Sequence, residues 1–238
     1  MLSLAKKVLD TIDSNFIGIF LYGSQNYSLN TEESDTDAII IVKESDYSHR
    51  EVRLASGIIK IYTIKYFLSR LQKGDMECYE ILYTKYRFIS GKYEKAFDDF
   101  VVEFTKVLNL DRVKYALALK LHEHLSNVMW IPLNRDNSKY HRKRAYWSYR
   151  VSDQLTRIID GEPLESTFIY NEQNKEELLK IKSITNYLQL EELGKNLRRM
   201  HTQLRELPKY NIEVTENEAL CLSSFYNVII QGEGDISG

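Results

Sequence analysis

Cysteine, proline and glycine are scarce in this chain, with two, three and ten residues respectively among 238. Cys78 and Cys221 lie far apart and lack the paired spacing of zinc ligands, which excludes a disulfide-rich scaffold and a cysteine zinc site. Few helix breakers leave long uninterrupted segments, which favours helix. We therefore expect a largely helical protein with free thiols in a reducing cytoplasm.

Long hydrophobic runs are also missing. No segment approaches the roughly 20 apolar residues of a membrane-spanning helix, and the start of the chain soon becomes charged at Lys6 and Lys7, so we expect neither secretion nor membrane insertion.

The 32 Lys and Arg against 34 Asp and Glu give a net charge of −2, which argues against non-specific coating of nucleic acid. Hydrophobic residues at 43% predict a packed core, and composition leaves the oligomeric state open.

Hydrophobic patterning divides the chain into a strand-rich first part and a helical remainder. Apolar runs at 16–22 and 37–42 are typical of buried strands, and a third extended segment runs from about 52 to 64 with an interruption at Gly57. Helices are predicted over the first dozen residues and at about 64–73, 76–82, 93–108, 111–129, 139–160, 174–190, 190–206 and 215–230. The pattern predicts an α+β fold, with a small mixed-sheet core over residues 1–92 and a helical domain over residues 93–238.

Polar residues follow the first strand and begin the second. Gly23 and Ser24 come directly after the first strand, and Asp35 and Asp37 flank Thr36 at the start of the second. Because residues i and i+2 of a strand point the same way, the two carboxylates lie side by side and repel unless a hard cation neutralises them. Glycine permits close backbone approach, and a serine hydroxyl with neighbouring N–H groups can hold a phosphate.

Each half of this pattern also has an ordinary interpretation, since Gly-Ser turns are common and Asp-x-Asp is often a solvated strand end. The two halves together, in this order and flanked by apolar strands, favour a site for a metal-bound phosphate. The expected chemistry is phosphoryl or nucleotidyl transfer, with Mg²⁺ or Mn²⁺ bridging phosphate oxygens. Ser24, Asp35 and Asp37 are the candidate catalytic residues, and the two aspartates are the candidate metal ligands.

The segments Leu21 to Ser24 and Ser34 to Ile39 resemble the signature of the DNA polymerase beta superfamily of nucleotidyltransferases, a Gly-Ser followed some ten residues later by Asp-x-Asp. More narrowly, the chain is similar to the nucleotidyltransferases of RNA repair operons and phages. That similarity is carried by Tyr27, Lys73-Gly74-Asp75, Glu80-Ile81-Leu82, Lys143-Arg144-Ala145-Tyr146 and Arg150. The resemblance implies Mg²⁺-dependent transfer of a nucleotidyl group from a nucleoside triphosphate to an acceptor hydroxyl. RNA such as tRNA, DNA, a protein side chain and a small molecule remain open as acceptors.

The helix predicted at 139–160 contains the most basic stretch of the chain. Lys143, Tyr146 and Arg150 share one of its faces at i, i+3 and i+7, which from composition alone is a solvated surface. The resemblance implies instead that the helical domain closes a nucleotide cleft, with Lys143 and Arg150 contacting the triphosphate and Tyr146 lining the pocket. His122 and His124, two residues apart on a predicted helix, are expected at the surface rather than on a shared metal.

The third acidic residue that this superfamily normally places on a following strand has no counterpart here. The strand at 57–62 carries Lys60 and no carboxylate, and that lysine is either a surface residue or a cation pointing into the site. Glu80 and Glu51 are alternative metal ligands. A second hypothesis is therefore a catalytically weakened nucleotidyltransferase fold that binds a nucleotide or a partner as a regulatory module. A third is an interaction protein in which the aspartate pair has no role.

Overall fold

The computed structural model describes residues 16–24, 26–27, 29, 35–130, 138–168, 170, 172–184, 187–204 and 213–231. The helix expected over the first dozen residues lies outside this part of the chain. The described strands are β1 (Phe16–Tyr22), β2 (Asp37–Val42), β3 (His49–Leu54), β4 (Gly57–Thr63) and β5 (Arg87–Ile89). The described helices are α1 (Ile64–Gln72), α2 (Met76–Leu82), α3 (Gly91–Val107), α4 (Leu110–Trp130), α5 (Ser138–Ile159), α6 (Leu164–Thr167), α7 (Glu172–Ser183), α8 (Tyr187–Leu204) and α9 (Glu216–Gln231). The predicted α+β class is confirmed.

The five strands form one mixed sheet in the order β3-β4-β2-β1-β5. β2 and β4 are parallel, and the other neighbouring pairs are antiparallel. The extended segment expected at 52–64 is a hairpin of β3 and β4 that turns just before Gly57. This glycine has a φ of 146°, and a Cβ on it would stand 2.0 Å from the carbonyl oxygen of Thr36, so the close approach of the two backbones requires glycine.

Alternating residues of the strands face two different environments. Ile19, Leu21, Ile40, Ile59 and Ile61 belong to an apolar cluster on one face of the sheet. The intervening residues lie on the opposite face, where the ring of Phe20 packs 4.9 Å from the ring of Phe97 on α3. This second face also carries the polar residues at the ends of β1 and β2.

The sheet and the described helices α1, α2, α3 and α9 belong to one compact unit, made of residues up to 109 and from 213 onwards. The C-terminal helix α9 packs on α3, and the ring of Phe225 stacks on that of Phe100 with centroids 4.1 Å apart. Glu218 accepts hydrogen bonds from the N–H groups of Asn109, at 2.7 Å, and Thr215, at 2.8 Å, which fixes the start of α9. The unit therefore includes α9 and all but the first two residues of α3, which lie beyond the 1–92 segment expected from the sequence.

Helices α4 to α8 form the second compact unit, residues 110–212. Its central helix α5 packs against α4, α7 and α8. His124 was expected at the surface, and that prediction is wrong: the side chain is 4% exposed, with its ring 5.1 Å from Trp147 of α5. Burial, with nearby cations, lowers the pKa of His124 to about 3, so the ring is neutral at physiological pH.

Cys78 and Cys221 are free cysteines, and Cys78 is buried whereas Cys221 is partly exposed. Two short elements, β5 and α6, lie where the sequence predicts no regular structure.

Among the described helices, none is both long and apolar enough to cross a lipid bilayer.

Candidate active site

A tight turn follows β1 and exposes the Gly-Ser dipeptide. Gly23 has a φ of 73°, in the left-handed region that favours glycine. Its carbonyl accepts the N–H of Asn26 at 3.1 Å, and the carbonyl of Ser24 accepts the N–H of Leu29 at 2.9 Å. The turn thereby reverses the chain directly after Tyr22, with Ser24 partly exposed at its tip.

A buried carboxyl group, that of Glu80, holds this turn through hydrogen bonds. Glu80 is 4% exposed, and its Oε1 accepts the N–H of Gly23 at 2.5 Å and the side-chain amide of Asn26 at 3.3 Å. Because a buried N–H left without an acceptor costs about 1–3 kcal/mol, these contacts hold the Gly-Ser turn in place. The sequence suggested Glu80 as a metal ligand, and its observed partners are backbone and amide donors of the turn.

Local capping places Glu80 and a second acid on the same helix face. Gly74, with a φ of 76°, lies in the turn after α1, and Asp75 begins α2 by accepting the N–H groups of Glu77, at 2.9 Å, and Cys78, at 3.2 Å. Glu77 and Glu80 are three residues apart on α2, so both lie on one side of the helix. The Lys-Gly-Asp segment singled out in the sequence therefore acts here by ending one helix and starting the next.

Asp37 lies beside the Gly-Ser turn. It is the first residue of β2 and pairs with Tyr22, the last residue of β1. Its Oδ1 accepts the N–H of Ile58 at 3.0 Å, and its Oδ2 lies 3.7 Å from where a Cβ on Gly23 would stand. The structure thus brings the turn and this aspartate together, as the strand order in the sequence predicts.

Asp35 is exposed, two residues before Asp37. The residue between them is anchored, because the N–H of Thr36 donates to the carbonyl of Ser56 at 2.6 Å. The close approach of Gly57 to the same residue fixes the backbone further. The path of the Asp-x-Asp segment is therefore set by the β3–β4 turn as well as by β2.

Lys60 reaches the same end of the sheet. It pairs with Ile39 in the β2–β4 register, so its side chain lies on the Asp37 face. Its ammonium forms an ion pair with Glu77 and stands 5.4 Å from the centroid of the Tyr22 ring. The side chain is 20% exposed, and Lys60 is therefore a residue of the site rather than an ordinary surface lysine.

The electrostatics of Tyr22 show how close these groups are. Burial raises the pKa of the Tyr22 phenol well above its usual value, and Glu77, Asp37, Tyr62 and Glu80 add to the rise in that order. The phenol therefore stays protonated at physiological pH.

Glu51, the other acid considered as a metal ligand, is paired instead with Arg53 on β3 at 2.8 Å.

The donor set suits one divalent ion that arrives with a polyphosphate. Across the described residues, no group of three or more His, Cys, Asp and Glu side chains is arranged to hold a metal ion. Mg²⁺ commonly binds one or two carboxylates and completes its shell with waters and substrate phosphates, which matches Asp35 and Asp37. The role of these two residues as metal ligands stays a prediction.

The basic residues predicted to bind nucleotide lie on α5, in the second unit. Lys143 is exposed, Arg150 is partly buried, and Tyr146 is buried at 1% exposure. The ammonium of Lys182, on α7, lies 4.4 Å from the centroid of the Tyr146 ring. Burial, together with the charges of Arg150 and Lys143, lowers the pKa of Lys182 to about 8. The nucleotide-binding role of Lys143, Tyr146 and Arg150 stays a prediction.

Lys182 was missed by the sequence reasoning. A lysine in the last turn of a helix is common, because it complements the helix dipole, so no local signal distinguishes it. Only the packing of α7 against α5 brings it over Tyr146 and near the other two cations.

No protein-family model matches the chain, and no curated protein matches it. Among solved structures, it is similar to the crystal structure of a nucleotidyltransferase-like protein from Exiguobacterium sibiricum 255-15, at 12% identity and a TM-score of 0.32. The match covers 98% of this chain and 76% of that chain. Likeness at this level indicates nothing about activity, and a function has to be inferred from the polar site itself.

Proposed function

We propose that the protein is a Mg²⁺- or Mn²⁺-dependent nucleotidyltransferase that moves a nucleotidyl group from a nucleoside triphosphate to an acceptor hydroxyl. One observation carries this proposal: the turn at Gly23 and Ser24 lies against Asp37, with Oδ2 3.7 Å from a Cβ position on the glycine. A phosphate-binding turn and a carboxylate metal ligand must be neighbours for this chemistry.

Each residue has a role that follows from its position. Asp35 and Asp37 would hold the divalent ion, which when bound supplies positive charge to the phosphates and to the transferred group. The Ser24 hydroxyl donates to a phosphate oxygen, and Gly23 allows the triphosphate to approach the backbone closely. Glu80 is a positioning residue, because it contacts the turn through the Gly23 N–H.

In the reaction, the acceptor oxygen forms a bond to the α-phosphorus while the bond from that phosphorus to pyrophosphate breaks. The acceptor hydroxyl gives up its proton to a water molecule of the solvent, and the pyrophosphate leaves with the electron pair of the broken bond. RNA, including a tRNA end, and DNA are acceptors that a basic helix suits, whereas the net charge of −2 suits a small or protein acceptor equally.

The second unit carries a cluster of cations of its own. Lys143 and Arg150 act electrostatically on Lys182, which lies over the Tyr146 ring, and we propose that these three cations bind phosphate groups. Arginine can bind phosphate through two parallel hydrogen bonds, and lysine acts as a point charge. Tyr146 supports the Lys182 ammonium through its ring face.

A regulatory nucleotide-binding module is the second candidate. Two observations favour it: Lys60 lies on the same sheet face as Asp37, and the described residues offer no group of three acids arranged to hold a metal ion. Such a protein would bind metal and nucleotide without transferring the nucleotidyl group.

Label transfer separates these candidates. The protein is incubated with each α-labelled nucleoside triphosphate and Mg²⁺ or Mn²⁺, with and without total RNA. We expect transfer by the wild type and by Asp46→Ala, an exposed acid outside the site, and none by Asp35→Ala or Asp37→Ala. Saturable metal-dependent nucleotide binding without transfer supports the regulatory module. Absence of both binding and transfer contradicts the proposal and leaves an interaction protein.

A further inference from the structure

Lys60 is a cation on the same sheet face as Asp37, one of the two proposed metal ligands. Since Ile39 and Lys60 are opposite each other in parallel strands, and Asp37 lies two residues before Ile39, the lysine and the aspartate lie on one face of the sheet. The apolar cluster that contains Ala38, Ile40, Ile59 and Ile61 occupies the other face. The two side chains therefore share one environment.

The Lys60 side chain is held in that environment by two contacts. The ammonium is paired with Glu77, and it lies over the ring of Tyr22, the residue that pairs with Asp37. Asp75 starts α2 and so fixes Glu77 in the first turn of that helix. Such restraint is unlike the behaviour of an exposed lysine, which samples many rotamers in water.

The charges near Lys60 explain why a lysine is tolerated there. The Lys60 ammonium is paired with Glu77 and lies on the same sheet face as Asp37, so it offsets part of the negative charge of these two carboxylates. It also repels a further cation and engages the carboxylate of Glu77, so a second divalent ion meets a positive charge and, among the described residues, no group of three acids arranged to hold it.

We propose that Lys60 is a built-in cation of the active site, so that the chain binds one divalent ion with its triphosphate rather than two, and that Lys60 itself contacts the triphosphate. Glu77 is then a positioning residue that holds the ammonium near the substrate. This inference rests on the proposed function, since it assigns the charges around the same nucleotide site.

Counting bound Mn²⁺ tests the proposal without measuring activity. Free Mn²⁺ is titrated by electron paramagnetic resonance against the full-length protein saturated with a triphosphate that has a non-hydrolysable α–β linkage, and nucleotide without protein gives the baseline. The variants are Lys60→Asp, which replaces the cation by a ligand, and Lys60→Met, which removes only the charge. Lys65→Asp is the matched control, because Lys65 is exposed on α1.

We expect one Mn²⁺ per chain for the wild type, Lys65→Asp and Lys60→Met, and two for Lys60→Asp. Lys60→Met should bind the triphosphate about tenfold or more weakly, as expected for loss of one charged hydrogen bond. Circular dichroism shows whether each variant folds. If Lys60→Asp does not fold, the number of Mn²⁺ ions bound by the wild type and the triphosphate affinity of Lys60→Met decide the question.

Two ions in the wild type, or unchanged triphosphate affinity in a folded Lys60→Met, would overturn the role of Lys60 and leave the proposed function intact. The same holds if a folded Lys60→Asp still binds one ion. Failure of the wild type to bind any Mn²⁺ with the triphosphate overturns the proposed function and this inference together.

Discussion

Replacing Gly57 by alanine should disturb two carboxylates that lie outside its own strand. The added Cβ would stand 2.0 Å from the carbonyl oxygen of Thr36, 2.6 Å from its carbon and 2.8 Å from its nitrogen. All three are backbone atoms, so no side-chain rotation relieves the clash. Because Thr36 lies between Asp35 and Asp37, any shift of its backbone passes directly to both proposed metal ligands.

The size of the effect follows from two contributions. The backbone conformation at a φ of 146° costs alanine about 1–3 kcal/mol, and overpacking adds about 1–3 kcal/mol, so Gly57→Ala should lower the free energy of unfolding by about 2–6 kcal/mol. The Thr36 oxygen must retreat from 2.0 Å to beyond 3.0 Å, the shortest separation that Cβ atoms ordinarily show. A shift of this size beside a metal ligand should weaken Mn²⁺ binding by roughly 10- to 100-fold.

Urea denaturation and Mn²⁺ titration with nucleotide measure the two effects. Gly161→Ala is a control for positive φ alone, since Gly161 has a φ of 84° with open space around it, and it should lose about 1–2 kcal/mol with unchanged Mn²⁺ affinity. Gly91→Ala, also in open space, should change stability by less than about 0.5 kcal/mol. If Gly57→Ala matches Gly91→Ala in both stability and Mn²⁺ affinity, the coupling between this turn and the aspartates is refuted.

Substitutions at three further positions test other parts of the account. Glu80→Ala should lower the free energy of unfolding by about 1–3 kcal/mol, because it leaves the Gly23 N–H without its acceptor. Glu80→Gln should keep most of that stability and the wild-type Mn²⁺ affinity, and a loss of Mn²⁺ binding in this variant would show that Glu80 ligates metal. Phe225→Ala should cost about 3–5 kcal/mol in urea denaturation, since its ring stacks on Phe100, and a cost below 1 kcal/mol would contradict the packing of α9 on α3. Because the pKa of Lys182 is lowered to about 8, its ammonium is lost as pH rises through that value, and tripolyphosphate affinity should fall between about pH 7 and 9. Lys182→Arg stays charged and should flatten this pH dependence in calorimetric titrations, whereas an unchanged profile would exclude Lys182 as an anion contact.

The sequence predicted the half of the site that depends on neighbouring strands. Two apolar runs indicated β1 and β2, and the polar residues at their adjoining ends had to meet once those strands paired. The position of Asp37 beside Gly23 follows from this short-range logic. Gly57 was recognised only as an interruption, because the backbone it must approach, at Thr36, belongs to a different strand.

The remaining half depends on contacts between residues far apart in the chain. Glu80 reaches Gly23 across 57 positions, and the pattern of α2 does not reveal which strand end the helix will cover. Lys182 looks like an ordinary helix-terminal lysine until α7 packs on α5. Likewise, the apolar stripe of α9 predicts a helix, but only the stacking of Phe225 on Phe100 shows that it belongs with the sheet.

The most direct test of the central claim is a crystal structure with Mn²⁺ and a non-hydrolysable nucleoside triphosphate, using anomalous scattering to locate the ion. We predict an ion within about 2.2 Å of carboxylate oxygens from both Asp35 and Asp37, with a phosphate hydrogen-bonded to Ser24. An ion bound elsewhere, or a triphosphate distant from the Gly-Ser turn, would contradict the account.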